Sequence, residues 1–219
     1  MNSAAFFDLD RTLLRRSSAL ALAGSFRERG LISRMQLAKA AAWQLLFVMR
    51  GASHETVRRA AEDGLLVLRG STPEELRTLV AEALEPVLRP LVYAEPLHLV
   101  EQHRARGEPV YIVSATLQEI VEAIAADLGF DGALGTICEV KDGMYTGRAV
   151  RALHAENKVV AVRELGFELD LCTAYSDSHT DLPLLEAVGH PVAVNPDRAL
   201  RRIAGERDWP VLEFQRRAA

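Results

Sequence analysis

The chain has 219 residues, about half of them apolar (49%) and a quarter charged (26%), which is the balance of a globular protein with one core, or one core and an inserted module. A net charge of −4 argues against a general nucleic-acid binder, which would show a basic face, and two cysteines, Cys138 and Cys172, are too few for a disulfide framework. The most apolar window, Leu37 to Met49, is shorter than the ~20 residues of a spanning helix and carries Lys39 and Gln44, so no membrane span is expected. Asp8 and Asp10 fall where a leader's apolar segment would lie, and a reducing cytoplasm is the expected compartment.

The run Ala4 to Phe7 reads as a strand buried on both faces, and it stops at two carboxylates, Asp8 and Asp10, separated by Leu9. In an extended chain alternate side chains share a face, so both acids can address one centre. Ligands of open α/β sheets bind where strands end, which makes this edge a candidate site.

From Ser17 to Leu88 no strand pattern is visible. Breaks at Gly30, Gly51 and Gly70, each followed within three residues by Ser or Thr, divide the stretch into about four helices. The clearest start is Ser71-Thr72-Pro73-Glu74-Glu75, with a capping hydroxyl, an early proline and acids at the positive helix end. An all-helical block after a single strand predicts an inserted cap over residues 16–89, leaving 1–15 and 90–219 for the core. The apolar face of Ala40 to Met49, with Trp43 and Phe47, is predicted to be cap core, with a dimer surface or an apolar substrate pocket as alternatives.

From Tyr93 helices and strands alternate. The predicted elements are a helix Tyr93–Arg106, a strand Pro109–Val113 stopping at Ser114-Ala115-Thr116, and a helix Leu117–Leu128 closed by Gly129. Thr136–Val140 and Met144–Val150 flank Asp142-Gly143, a strong hairpin signal. A helix Ala155–Leu165, a strand Cys172–Tyr175, a helix Leu182–Val188 and a last strand Pro191–Val194 complete the pattern. This order predicts an α/β fold: a doubly wound, Rossmann-like parallel sheet with an inserted all-helical cap.

Three predicted strands end in polar residues on one edge, which would gather Asp8, Asp10, Ser114, Asp177 and Asp181, with Lys158 from the helix Ala155–Leu165. Crowded carboxylates repel one another unless a cation is present, and an oxygen-only set suits Mg²⁺. With one lysine and one hydroxyl the set describes a phosphoryl site, in which Asp8 attacks phosphorus and Asp10 handles the proton. Lys141, in the hairpin, is the rival of Lys158. Arg11, Arg15 and Arg16 form a basic cluster beside the site, and Arg15 and Arg16 are candidates to meet a second anionic group on a small phosphorylated metabolite. His179 reads as a surface loop residue.

The order Asp8-x-Asp10-x-Thr12, a strand ending at Ser114, a distant Lys158 and Asp177-x-x-x-Asp181 resembles the four motifs of the haloacid dehalogenase-like hydrolase superfamily. The helical insertion after the first motif resembles its phosphoserine-phosphatase-like branch. The resemblance implies Asp8 as nucleophile, Asp10 as acid and base, and Thr12 as a positioning residue. It implies that Ser114 with Ala115 and Lys158 hold phosphate, that Mg²⁺ is bound by Asp8, the Asp10 carbonyl and Asp177, and that Asp181 supports from behind. Ser176 and Thr180 depart from the glycine and asparagine common in relatives. No acid occurs between Asp10 and Glu28, where phosphoserine phosphatases carry a glutamate for the substrate amine. The expected activity is therefore hydrolysis of a small phosphomonoester, with phosphoserine phosphatase proper, or a phosphate-binding protein without turnover, as alternatives.

Overall fold

A computed structural model describes residues 2–30 and 65–215. The predicted breaks and helices between Gly30 and Gly64, with Trp43 and Phe47, lie outside the described residues. A seven-stranded sheet forms the centre, with strands β1 (Ala5–Phe7), β2 (Val110–Leu117), β3 (Gly132–Lys141), β4 (Met144–Arg151), β5 (Thr173–Ser176), β6 (His190–Val194) and β7 (Val211–Leu212) in the order β4-β3-β2-β1-β5-β6-β7. All pairs are parallel except β3–β4. The doubly wound sheet expected from the alternation is present.

Alternation along β1 divides the core in two. Ala5, Phe7 and Leu9 join the cluster on one face, where helices α2 (Pro73–Ala83), α3 (Glu95–Ala105) and α4 (Gln118–Leu128) contribute Leu79, Val100 and Val121. Ala4 and Phe6 join the other, covered by α5 (Glu156–Arg163), α6 (Leu182–Ala187) and α7 (Arg198–Glu206) through Val162, Leu185 and Leu200. Being sandwiched explains why β1 is apolar at every position.

Local signals read from sequence recur in the structure. Asp142 and Gly143 both have positive φ (52° and 78°), the turn that lets β3 and β4 pair antiparallel with their native twist. Gly129 ends α4 in the left-handed conformation. Thr72 and Glu75 form a reciprocal capping box at the start of α2.

Two features differ from expectation. β2 does not stop before Ser114 but continues through a register shift to Leu117, where it still pairs with Thr136 of β3. Ser114 and Thr116 lie in the irregular stretch between the paired residues Val113 and Leu117, where Thr136 Oγ1 donates to the Ala115 carbonyl at 2.7 Å. The sheet also does not end at Val194: α7 and the short strand β7 follow. Residues 65–91, most of them in the stretch expected to form the cap, pack against α4 and the hairpin. Leu76, Leu79 and Val80 share one apolar cluster with Ile120 and Ile124 of α4, and buried Leu side chains contribute about 1.5–3 kcal/mol each. Gly70 N–H donates to the Tyr145 carbonyl (3.0 Å) and Tyr145 N–H to that of Ser71 (2.8 Å), which ties this stretch to the hairpin.

Beneath the central strands, Phe7 stacks on Tyr175 with ring centroids 4.3 Å apart. The Tyr175 hydroxyl lies 2.8 Å from Nε2 of buried His103, whose Nδ1 lies 2.6 Å from Glu108 Oε2. Burial lowers the His103 pKa, with Glu108 opposing, so the ring favours its neutral form.

Candidate active site

Strand register builds the site. Phe7 is paired with Ile112 of β2 on one side and Tyr175 of β5 on the other. Ser114 and Asp177 each stand two residues beyond those partners, while Asp8 stands one beyond Phe7 between them. The C-terminal edge therefore lines up all three across neighbouring strands, which lie about 4.8 Å apart.

Lys158 approaches from the first turn of α5 and is buried, with 2% of its side chain exposed. Its Nζ donates to Asp8 Oδ1 and to Asp181 Oδ2, each at 2.7 Å. Ser176 Oγ donates to the same Asp181 oxygen at 2.8 Å, so the serine at the glycine-like position completes the anchor of that carboxylate. Burial opposes a charged Lys158, but the two carboxylates outweigh it and raise the lysine pKa. The rival, Lys141, is exposed on the hairpin.

The Asp8–Thr12 segment is a tight turn. Leu13 and Leu14 both donate to the Leu9 carbonyl (2.9 Å), and Arg11 takes φ 63°. The turn delivers Asp10 to the N-terminus of α1 (Ser18–Glu28), where its Oδ1 accepts from Ser18 N–H at 2.8 Å. That helix has no acid in its own first turn, so Asp10 supplies the negative charge its dipole favours. Burial nonetheless raises the Asp10 pKa, against the Ser18 bonds. The Ser18 hydroxyl also lies 3.2 Å from Thr116 Oγ1, joining this side of the site to β2. Thr12 is fully buried, and its hydroxyl has no hydrogen-bond partner among the described residues.

One ammonium does not balance the acids gathered here. Desolvation lifts Asp8 to a pKa of about 7; Lys158 pulls it down, while Asp181 and Asp10 push it up. Asp177 is raised well above the ordinary value by burial and by repulsion from Asp8 and Asp181, with Arg11 opposing. Buried, mutually repelling oxygen donors fit a hard divalent cation. No group of three or more Asp, Glu, His or Cys side chains forms a closed metal cage among the described residues. Mg²⁺ needs no such cage, being held by one or two carboxylates with its remaining positions filled by water, carbonyl or phosphate oxygens.

The remaining sequence candidates are placed as follows. Ser114 is buried and its Oγ accepts from Thr116 N–H at 3.2 Å; Ala115 is exposed. Arg15 and Arg16 are exposed and make no contact with the four acids among the described residues; the Arg15 guanidinium lies over the Tyr93 ring, 5.7 Å from its centroid. His179 is not simply a surface loop residue. Its backbone N–H donates to Asp197 Oδ2 (2.9 Å) and its Nδ1 lies 2.8 Å from the same oxygen. Burial opposes ionisation of Asp197, but bonds from Leu200 and His179 hold its pKa below the ordinary value. Sequence reading missed Ser18, Ser176 and Asp197; the signal for Asp197 was an N-cap acid directly after Asn195-Pro196.

Comparison with known proteins identifies the family. A probable phosphatase of Mycobacterium tuberculosis is 43% identical over 218 residues, covering 98% of this chain and 76% of the relative. A phosphoserine phosphatase of the same organism is 36% identical over 221 residues, covering 98% and 72%. A crystal structure of a protein of unknown function from Bordetella pertussis superposes with a TM-score of 0.81 at 33% identity, covering 96% of this chain and 97% of that one. The family model for haloacid dehalogenase-like hydrolases matches residues 5–186, and the chain belongs to that family.

Proposed function

We propose that the protein is a Mg²⁺-dependent phosphatase that hydrolyses a small phosphomonoester through an aspartyl-phosphate. The observation that carries the reading is Lys158 Nζ held at 2.7 Å from both Asp8 and Asp181, residues 150 and 23 positions away in sequence. The names of the two mycobacterial relatives support phosphatase chemistry.

In this mechanism an Asp8 oxygen attacks phosphorus, the bond to the leaving oxygen breaks, and protonated Asp10 gives that oxygen its proton. The raised pKa of Asp10 suits a proton donor. Asp10 then takes a proton from the water that attacks phosphorus, phosphate leaves and Asp8 is regenerated. Lys158 offsets negative charge on Asp8 and the transferring group, while the Ser114 hydroxyl and the backbone at Ala115 donate to phosphoryl oxygens. Thr12, buried and without a hydrogen-bond partner among the described residues, is assigned to position the catalytic turn. Asp8, the Asp10 carbonyl and Asp177 would hold Mg²⁺, with Asp181 behind them, and the ion supplies charge neutralisation for the phosphoryl oxygens.

Residues 16–89 are assigned as a cap over this edge, and 1–15 with 90–219 as the core. Arg15 and Arg16, both exposed, are assigned to a second anionic group on the substrate. Phosphoserine is the competing substrate, favoured by the name of one relative and opposed by the lack of an acid between Asp10 and Glu28. The test is hydrolysis of p-nitrophenyl phosphate and a panel of phosphomonoesters with MgCl2 or EDTA. Asp8→Asn should abolish turnover while preserving the circular dichroism spectrum; substantial retained turnover would contradict the assignment.

A further inference from the structure

The loop after β5 carries Asp177 and Asp181, and a residue outside every motif holds its shape. Asp197 N–H donates to the Asp177 carbonyl at 2.8 Å. Its Oδ2 accepts from His179 N–H at 2.9 Å and lies 2.8 Å from His179 Nδ1, while its Oδ1 accepts from Leu200 N–H at 2.8 Å in the first turn of α7. One residue thereby joins both ends of the Asp177–His179 segment to the start of a helix packed on the sheet.

Asp8 and Asp177 follow the neighbouring strands β1 and β5, so a loop free to relax could carry the Asp177 carboxylate away from Asp8. The Asp197 bonds oppose that relaxation. We propose that Asp197 is a positioning residue for the divalent cation: it presents Asp177 beside Asp8 before an ion arrives, without touching ion or substrate. Preorganised donors bind more tightly because the ordering cost is met during folding. This inference rests on the reading of Asp177 as a cation ligand.

The experiment is calorimetric titration of MgCl2 into the full chain without substrate, for the natural protein, Asp177→Asn and Asp197→Asn. Asparagine keeps a carbonyl oxygen for Leu200 N–H, so α7 remains capped, but it offers an NH₂ group where His179 N–H needs an acceptor. Mg²⁺ should bind Asp197→Asn about tenfold more weakly, the range set by losing a hydrogen bond to a charged acceptor. The Mg²⁺ concentration for half-maximal turnover should rise by a similar factor, with kcat recovered at saturating Mg²⁺. Unchanged Mg²⁺ affinity alongside a lowered melting temperature would leave Asp197 as a helix cap only and overturn the inference. If the natural protein does not bind Mg²⁺, or Asp177→Asn binds it equally well, the cation reading fails and takes this inference with it. Should Asp197→Asn not fold, Asp197→Ser retains a capping hydroxyl without the second oxygen, and the same titration decides.

Discussion

Replacing Lys158 by methionine tests the site through stability rather than turnover. The side chains involved are 2%, 11% and 5% exposed for Lys158, Asp8 and Asp181, so solvent does little to screen them. Removing the ammonium leaves two buried carboxylates without their shared cation, and breaking a buried ion pair from one side costs about 3–5 kcal/mol. That is a large share of the ~5–15 kcal/mol that holds a typical domain together. With a urea dependence near 2 kcal/mol/M, the unfolding midpoint should fall by about 2 M at pH 8 in EDTA.

The loss should depend on pH in a definite direction. A carboxyl with a folded pKa above its unfolded value stabilises the fold below the unfolded value, and that contribution disappears as pH rises through the folded one. For Asp8 the window already runs from 3.8 to about 7. Without Lys158, which pulls Asp8 down, the window extends higher. The midpoint difference between the two proteins should therefore be largest at pH 8 and smaller at pH 5. Equal midpoints at both pH values would refute the buried bridge between α5, Asp8 and Asp181.

Other perturbations probe the frame around the site. Because His103 is held with a lowered pKa, the unfolded chain takes up its proton first as pH falls below 6.5, and stability should decline from there; His103→Gln should flatten urea midpoints between pH 7.5 and 5.5. Thr72→Ala removes half of the capping box of α2 and should cost about 1 kcal/mol, read as a lower melting temperature with unchanged fold. Gly189→Ala would drive its Cβ into the Asp170 carbonyl oxygen, and soluble yield should collapse relative to Gly205→Ala, where nothing among the described residues lies within 4 Å.

Much of the site was legible because its signals are local. Asp8 and Asp10 follow an apolar run directly, and the hairpin turn is declared by two adjacent residues with positive φ. Ser114 was misplaced relative to its strand because the pairing that carries β2 to Leu117 comes from β3, a different part of the chain. Ser176 looked like a departure from a glycine pattern, yet only the fold shows its hydroxyl on Asp181. His179 gave no local sign that its partner lies 18 residues on, beyond another helix and strand.

The amino-acid order alone specified a sheet with alternating helices, the edge at which polar residues collect, and the types of group available there, because periodicity and capping depend on near neighbours. Tertiary structure decided which lysine is buried, where Asp10 finds a helix terminus, and that residues 65–91 pack against α4 and the hairpin. Those outcomes depend on burial and on pairing between distant segments, and burial is what turns an ordinary lysine and two ordinary aspartates into a coupled, desolvated site.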